Sequence, residues 1–214
     1  MKFINLHTHQ FSNNETILEI VNQYPNQIDA TIPNFSIGIH PWKIDLDKVE
    51  THLHIIEEKL QHDNCLALGE CGLDKRIETS LEIQTQVFEK QLFLAHKYNK
   101  PVILHCVAAF QEIIAIKKQM NIEVPMIIHG FSKNWQTAKQ LLTNGFYLSF
   151  GKYLFQNPDL ETVFKEIPSD RIFLETDSSN YTIEEVYALA AKFKNMEISE
   201  VKAHIENNFK RIFD

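Results

Sequence analysis

His7 and His9 stand two apart at the end of the run Phe3-Ile4-Asn5-Leu6. Phe3, Ile4 and Leu6 are strand formers with no Gly or Pro among them, so the run predicts a short buried strand. Side chains at i and i+2 share one face of a strand, so the two imidazoles can grip one cation. Glu70, His105, His129 and Asp177 follow, each at the C-terminal end of an apolar run. Four imidazoles and two carboxylates exceed what one tetrahedral ion needs, and a closed structural zinc site usually draws on Cys. The mixed nitrogen and oxygen set suits two divalent ions such as Zn²⁺, Mn²⁺ or Mg²⁺. Two ions roughly 3.5–4 Å apart share a bridging carboxylate and water, a combination that drives hydrolysis, most naturally of a phosphoester.

The elements that must position these residues alternate. Strands are predicted near 3–9, 16–21, 35–40, 65–70, 101–106, 124–129, 146–150 and 171–176. Helices are predicted from Asp45 to His62, from Thr79 or Ser80 to Tyr98, from Ala108 to Met120 and from Asn134 to Thr143, with Gly145 just past the last. Asn157-Pro158 opens another, Thr182 with Glu185 makes a capping box, and Ser199 caps the final helix. Cys71 to Asp74 reads as a turn. Near-continuous apolar strands between helices predict a parallel sheet buried on both faces. About eight of them in 214 residues favour a closed TIM-type (β/α) barrel, distorted by a shortened first βα unit. One domain over residues 1–214 is expected. Strand C-termini of such a barrel meet at one end, where its active sites lie.

Taken singly, each candidate has a plainer reading. A strand-end His is more often a hydrogen-bonded structural residue. Glu70 could form a turn with Cys71-Gly72, and Asp177 could cap a turn. Their recurrence at strand ends is what favours ligation. His52, His54, His62, His96 and His204 fall on amphipathic helices and read as structural or solvated, and Cys106 as a buried thiol, with ligation as its alternative.

With 28 acidic against 21 basic side chains the net charge is −7, so no broad basic face for nucleic acid is expected. Cys65, Cys71 and Cys106 lack CxxC spacing and are expected as reduced thiols in a cytoplasm. No signal peptide or membrane span is expected.

The motifs Leu6-His7-Thr8-His9, Gly38-Ile39-His40-Pro41, Gly69-Glu70-Cys71-Gly72-Leu73-Asp74, Pro101-Val102-Ile103-Leu104-His105, His129-Gly130-Phe131-Ser132 and Leu174-Glu175-Thr176-Asp177-Ser178 occur in this order. So arranged, with the ending Asn208-Phe209-Lys210-Arg211-Ile212-Phe213, the whole chain resembles the TatD-like metal-dependent hydrolases. That resemblance implies a barrel related to the amidohydrolases and two divalent ions. It implies His7, His9 and Asp177 on one ion, His105 and His129 on the other, and Glu70 bridging. Asp177 would also orient the attacking water as general base. Glu175, on the same face as Asp177, would steer a ligand, and His40 would meet the substrate.

The chain also departs from that pattern. Val107 stands where many members carry Arg, Asn5 where Asp is usual, and Ser179 where Pro is usual. The basic, proline-rich loop that usually follows is missing. Lys133 and Lys152 are candidates to replace the lost cationic contacts. The ligands are intact, so the first expectation is a two-metal phosphoesterase, a nuclease acting on single-stranded ends. The same metals could instead serve a small phosphoester, or an ester or amide such as an aminoacyl-tRNA linkage. A non-catalytic metal- or ligand-binding barrel is the reading from another class. A monomer is assumed.

Overall fold

The computed structural model describes residues 1–213. Eight strands follow the chain in one parallel sheet: β1 (Phe3–Thr8), β2 (Ile17–Gln23), β3 (Phe35–Ile37), β4 (Cys65–Asp74), β5 (Val102–Val107), β6 (Met126–Ile128), β7 (Tyr147–Phe150) and β8 (Ile172–Leu174). Helices lie between them: α1 (Val49–Leu60), α2 (Leu81–Lys97), α3 (Phe110–Gln119), α4 (Trp135–Thr143), α5 (Tyr153–Gln156) and α6 (Leu160–Glu166), with α7 (Ile183–Lys194) and α8 (Ile198–Phe213) after β8. An isolated parallel bridge joins Thr8 to Asp177, bringing the segment after β8 back onto β1. This is the TIM-type barrel fold. As expected, the first βα unit is short, and Asn14 turns the chain from β1 into β2 without a helix. None of the described helices is long and apolar enough to cross a membrane.

The chain packs as two compact units, one of Met1–Val21 with Ile128 onward, the other of Asn22–Ile127. In the first, Leu6, Ile20, Phe146, Phe150, Phe164 and Phe173 are buried. Tyr187 of α7 is also fully buried, and its hydroxyl donates to the Ile4 carbonyl (3.0 Å) and accepts from the Ile4 N–H (3.1 Å). The Thr182–Glu185 capping box starts α7 as the sequence predicts.

In the second unit, Ile56, Leu68, Phe88, Leu92 and Ile103 form the centre. Its β4 runs four residues past the predicted strand, because Cys71, Gly72, Leu73 and Asp74 pair with Leu104 to Val107 of β5. Gly69 and Gly72 make that path possible, with φ of +138° and +139°. A Cβ on Gly72 would meet the His105 carbonyl oxygen at 2.1 Å, and one on Gly69 the Ile103 oxygen at 2.4 Å. Only glycine serves where two main chains come this close at such a φ.

Three helix starts differ from expectation. Asp45 accepts from the Asp47 N–H and caps a turn, and α1 begins at Val49. Asn157 likewise caps the turn to Asp159 ahead of α6. Before α8 the Glu197 N–H bonds Glu200, so that helix starts ahead of Ser199. In the first two cases a short polar side chain has closed a local turn instead of capping the helix itself, while in the third the longer Glu200 side chain reaches back from the first turn of α8 to the main chain ahead of it.

Candidate functional site

The first unit gathers His7, His9 and Asp177. β1 places both imidazoles, with ring centroids 5.0 Å apart. Main-chain pairing delivers the carboxylate: the Asp177 N–H donates to the His7 carbonyl (2.9 Å) and the His9 N–H to the Asp177 carbonyl (3.3 Å). Asp177 takes φ +53°, a left-handed conformation that Asp tolerates better than most residues. One ligand atom from each of the three lies within 4.8 Å of the other two. His9 Nε2 is 3.4 Å and His7 Nε2 3.9 Å from Asp177 Oδ1, and the Lys152 ammonium donates to Oδ2 at 2.8 Å. Burial pushes the Asp177 carboxyl up. The His9 hydrogen bond, the His129 and His7 charges and the Lys152 hydrogen bond outweigh it, holding Asp177 well below the usual carboxylate range.

His129 follows β6, its ring 4.4 Å from that of His7. Its Nδ1 lies 3.3 Å from Glu175 Oε1, which also accepts from the Gly130 N–H (2.8 Å). Glu175 is 1% exposed, yet its Oε2 has no hydrogen-bond partner.

The second unit gathers His40, Glu70 and His105, again with ligand atoms within 4.8 Å of one another. Glu70 Oε1 lies 3.1 Å from His40 Nε2 and 2.9 Å from His105 Nδ1. The other His105 nitrogen, Nε2, is 3.2 Å from Asp74 Oδ2. That same oxygen accepts from the indole N–H of Trp42 at 2.7 Å, and Oδ1 accepts from the Arg76 N–H. Burial raises the Asp74 carboxyl, but the Trp42 and Arg76 hydrogen bonds and the His105 interaction leave it lowered. Two buried glutamines of α2 fix the frame. Gln84 clamps Asp74 through both its main-chain groups, and Gln91 does the same for Ile39, beside His40.

Both sets fit divalent metal ions. They offer imidazole nitrogens and carboxylate oxygens, the donors that borderline divalent ions take. Among the first unit's residues, the buried and unpartnered Glu175 Oε2 points to a missing cationic or donor group. Closely spaced imidazoles are tolerated when neutral, the form in which His ligates.

The expected His7, His9 and Asp177 thus stand together, with His129 beside His7, and Glu70 stands with His105. His40, read from the sequence as a substrate contact, lies at ligand distance from Glu70 and His105. Asp74 and Trp42 were given no role by sequence reasoning. Asp74 carried a signal, since it stands four residues after Glu70 and even spacing along a strand keeps one face. Trp42 carried none.

The family model described as TatD related DNase matches residues 1–214. A Bacillus subtilis protein named metal-dependent hydrolase YabD is 34% identical over 83% of this chain and 76% of its own length. The Mycoplasma genitalium metal-dependent hydrolase MG009 is 29% identical over 99% of this chain and 89% of its own. Among solved structures, the Escherichia coli TatD homolog YJJV superposes with a TM-score of 0.85 at 20% identity, over 99% of this chain and 97% of that one. The match from end to end makes this chain a member of the TatD family.

Proposed function

We propose that this chain hydrolyses phosphoester bonds with two divalent ions and acts on the single-stranded ends of nucleic acid. The observation that carries the reading is the Asp177 carboxylate, kept ionised by His9 and Lys152 beside two further imidazoles. Following the family pattern, His7, His9 and Asp177 would hold one ion and His105 and His129 the other, with Glu70 as bridge. When bound, such ions neutralise phosphoryl charge and lower the pKa of water. The chain's residues do the rest. Asp177 accepts the proton of the attacking water as its oxygen bonds to phosphorus and the leaving oxygen departs. Glu175 fixes the His129 ring through Nδ1, as Asp74 fixes His105 through Nε2. Lys152 brings an ammonium to Asp177 and would meet phosphoryl charge that Val107 cannot. The Cys65 and Cys71 thiols, both buried and neither in a disulfide, accord with a cytoplasmic setting.

The test is hydrolysis of end-labelled single-stranded DNA and of a generic phosphodiester, with and without Mn²⁺ or Mg²⁺, using His105→Ala and Asp177→Ala as controls. Metal-dependent DNA degradation lost in both variants supports the reading. Cleavage of the small ester alone moves the substrate to small phosphoesters. No turnover of either by metal-loaded protein overturns it.

A further inference from the structure

Trp42, like Phe93 an exposed aromatic of the second unit, differs from it in being anchored to the donor set. It is 66% exposed, whereas large aromatic rings are usually mostly buried. Exposure here does not mean freedom. The indole N–H is tied to Asp74 Oδ2 at 2.7 Å, and the main-chain N–H is tied to His40 Nδ1 at 3.1 Å. The ring stands edge-to-face with His40 (centroids 5.2 Å, 85°) and with His105 (5.8 Å, 75°). It sits in the 3₁₀ turn Pro41–Lys43, which is pinned on both sides. Pro41 is buried, the Lys43 N–H donates to the His40 carbonyl, and the Lys43 ammonium lies 3.4 Å from the centroid of the Tyr24 ring.

A large π surface is therefore held in a fixed orientation, in solvent, against His105, which the proposed function uses, and against its neighbour His40. A rigid indole loses little conformational freedom when a flat ligand settles on it. The cationic alternative is weak here, since position 107 is Val and the chain is acidic overall. Stacking is the other source of strand affinity that does not depend on base sequence. We propose that Trp42 is a specificity-determining residue: a stacking platform for a nucleobase of the substrate, which selects base-bearing phosphoesters over base-free ones. This rests on the reading of the site as a phosphoesterase and names the substrate feature it recognises. Base-on-aromatic stacking accepts any base, so the platform confers preference for nucleic acid without sequence preference.

The experiment is a binding measurement. A Trp135→Phe background leaves Trp42 as the sole tryptophan, so its fluorescence reports on the platform itself. The probe is a phosphorothioate hexathymidylate, added with Mg²⁺, beside an abasic strand with the same number of phosphates. The expected result is quenching by hexathymidylate and not by the abasic strand. With a fluorescein-labelled probe and anisotropy as readout, Trp42→Ala weakens affinity about tenfold and Trp42→Phe less than threefold, since phenylalanine still stacks. Equal quenching by the two strands, or an unchanged affinity in Trp42→Ala, overturns the proposal. So does a loss in Trp42→Phe as large as in Trp42→Ala, because the indole's bond to Asp74 would then be the whole of its role. If Trp42→Ala does not fold by circular dichroism, the quenching pair and Trp42→Phe decide. Trp42-dependent binding without hydrolysis by any metal-loaded protein keeps the platform and removes the phosphoesterase. Hydrolysis without Trp42-dependent binding does the reverse.

Discussion

The two donor sets use the same chemistry and are built in opposite ways. In the first unit, Asp177 has donors all round it: two imidazoles on one oxygen and an ammonium on the other. In the second, His105 lies between two carboxylates, Glu70 and Asp74. The first set is assembled by main-chain pairing between segments remote in sequence. In the second, both carboxylates lie on β4 and the histidine between them on β5, directly alongside. A carboxylate among cations is a stable anion, suited to holding a cation and to accepting a hydrogen bond that orients water. A histidine among carboxylates is a ring held in one orientation, suited to lasting ligation. Residue type alone does not separate these roles. The neighbours do.

The sharpest way to break this contrast is to neutralise one carboxylate in each set. Asp177→Asn is expected to lower kcat about a thousandfold, the size of a lost general base. Glu70→Gln should instead release metal first, read by competition with a chromogenic chelator. Identical profiles in the two variants would mean that the sets share one role. Next in size is Gly72→Ala, which forces a Cβ against the His105 carbonyl at a φ reserved for glycine. It should cost on the order of 3 kcal/mol in urea unfolding, and an unchanged midpoint would show that β4 and β5 need not meet so closely. Asp74→Asn should weaken metal binding about tenfold to a hundredfold, as loss of a partner that orients a ligand does. Unaltered affinity would make Asp74 a purely structural residue.

The subtlest test is acid. Asp177 has a folded-state pKa below its unfolded one. Its contribution to stability is therefore complete above the unfolded value of about 3.9 and is lost as pH falls below that, toward the folded value. Metal-free wild type should lose stability more steeply below pH 4 than Asp177→Asn. Parallel curves would remove the claim that its neighbours hold the carboxylate ionised.

Much of this was legible in the chain. β1 announces itself through three apolar residues and a His pair, and the sheet through its apolar runs. The capping box of α7 is local chemistry and was read correctly, and the structure makes Ser80, one of the two candidates for the start of α2, and Asn134, the expected start of α4, their N-caps. What escaped depends on pairing between segments. Cys71 to Asp74 has turn composition, Gly followed shortly by Asp, and only β5 alongside makes it a strand. Gln84 and Gln91 look like the solvated positions of an amphipathic helix, yet each is 1% exposed because strand ends need their amides. Asp74 and Trp42 gain meaning only from each other and from His105.

The bridge between Thr8 and Asp177 spans 169 positions of sequence. During synthesis, His7 and His9 leave the ribosome long before their carboxylate partner, with all seven other strands of the sheet made in between. Closing so long a loop is paid for late, once the intervening strands have found their places. The nascent chain therefore carries a histidine pair that cannot complete its grip on a cation until β8 has returned to β1. Metal capture by the first set is then a sign that the sheet has come together, and a chain stalled or clipped before residue 177 should emerge unable to retain the ion.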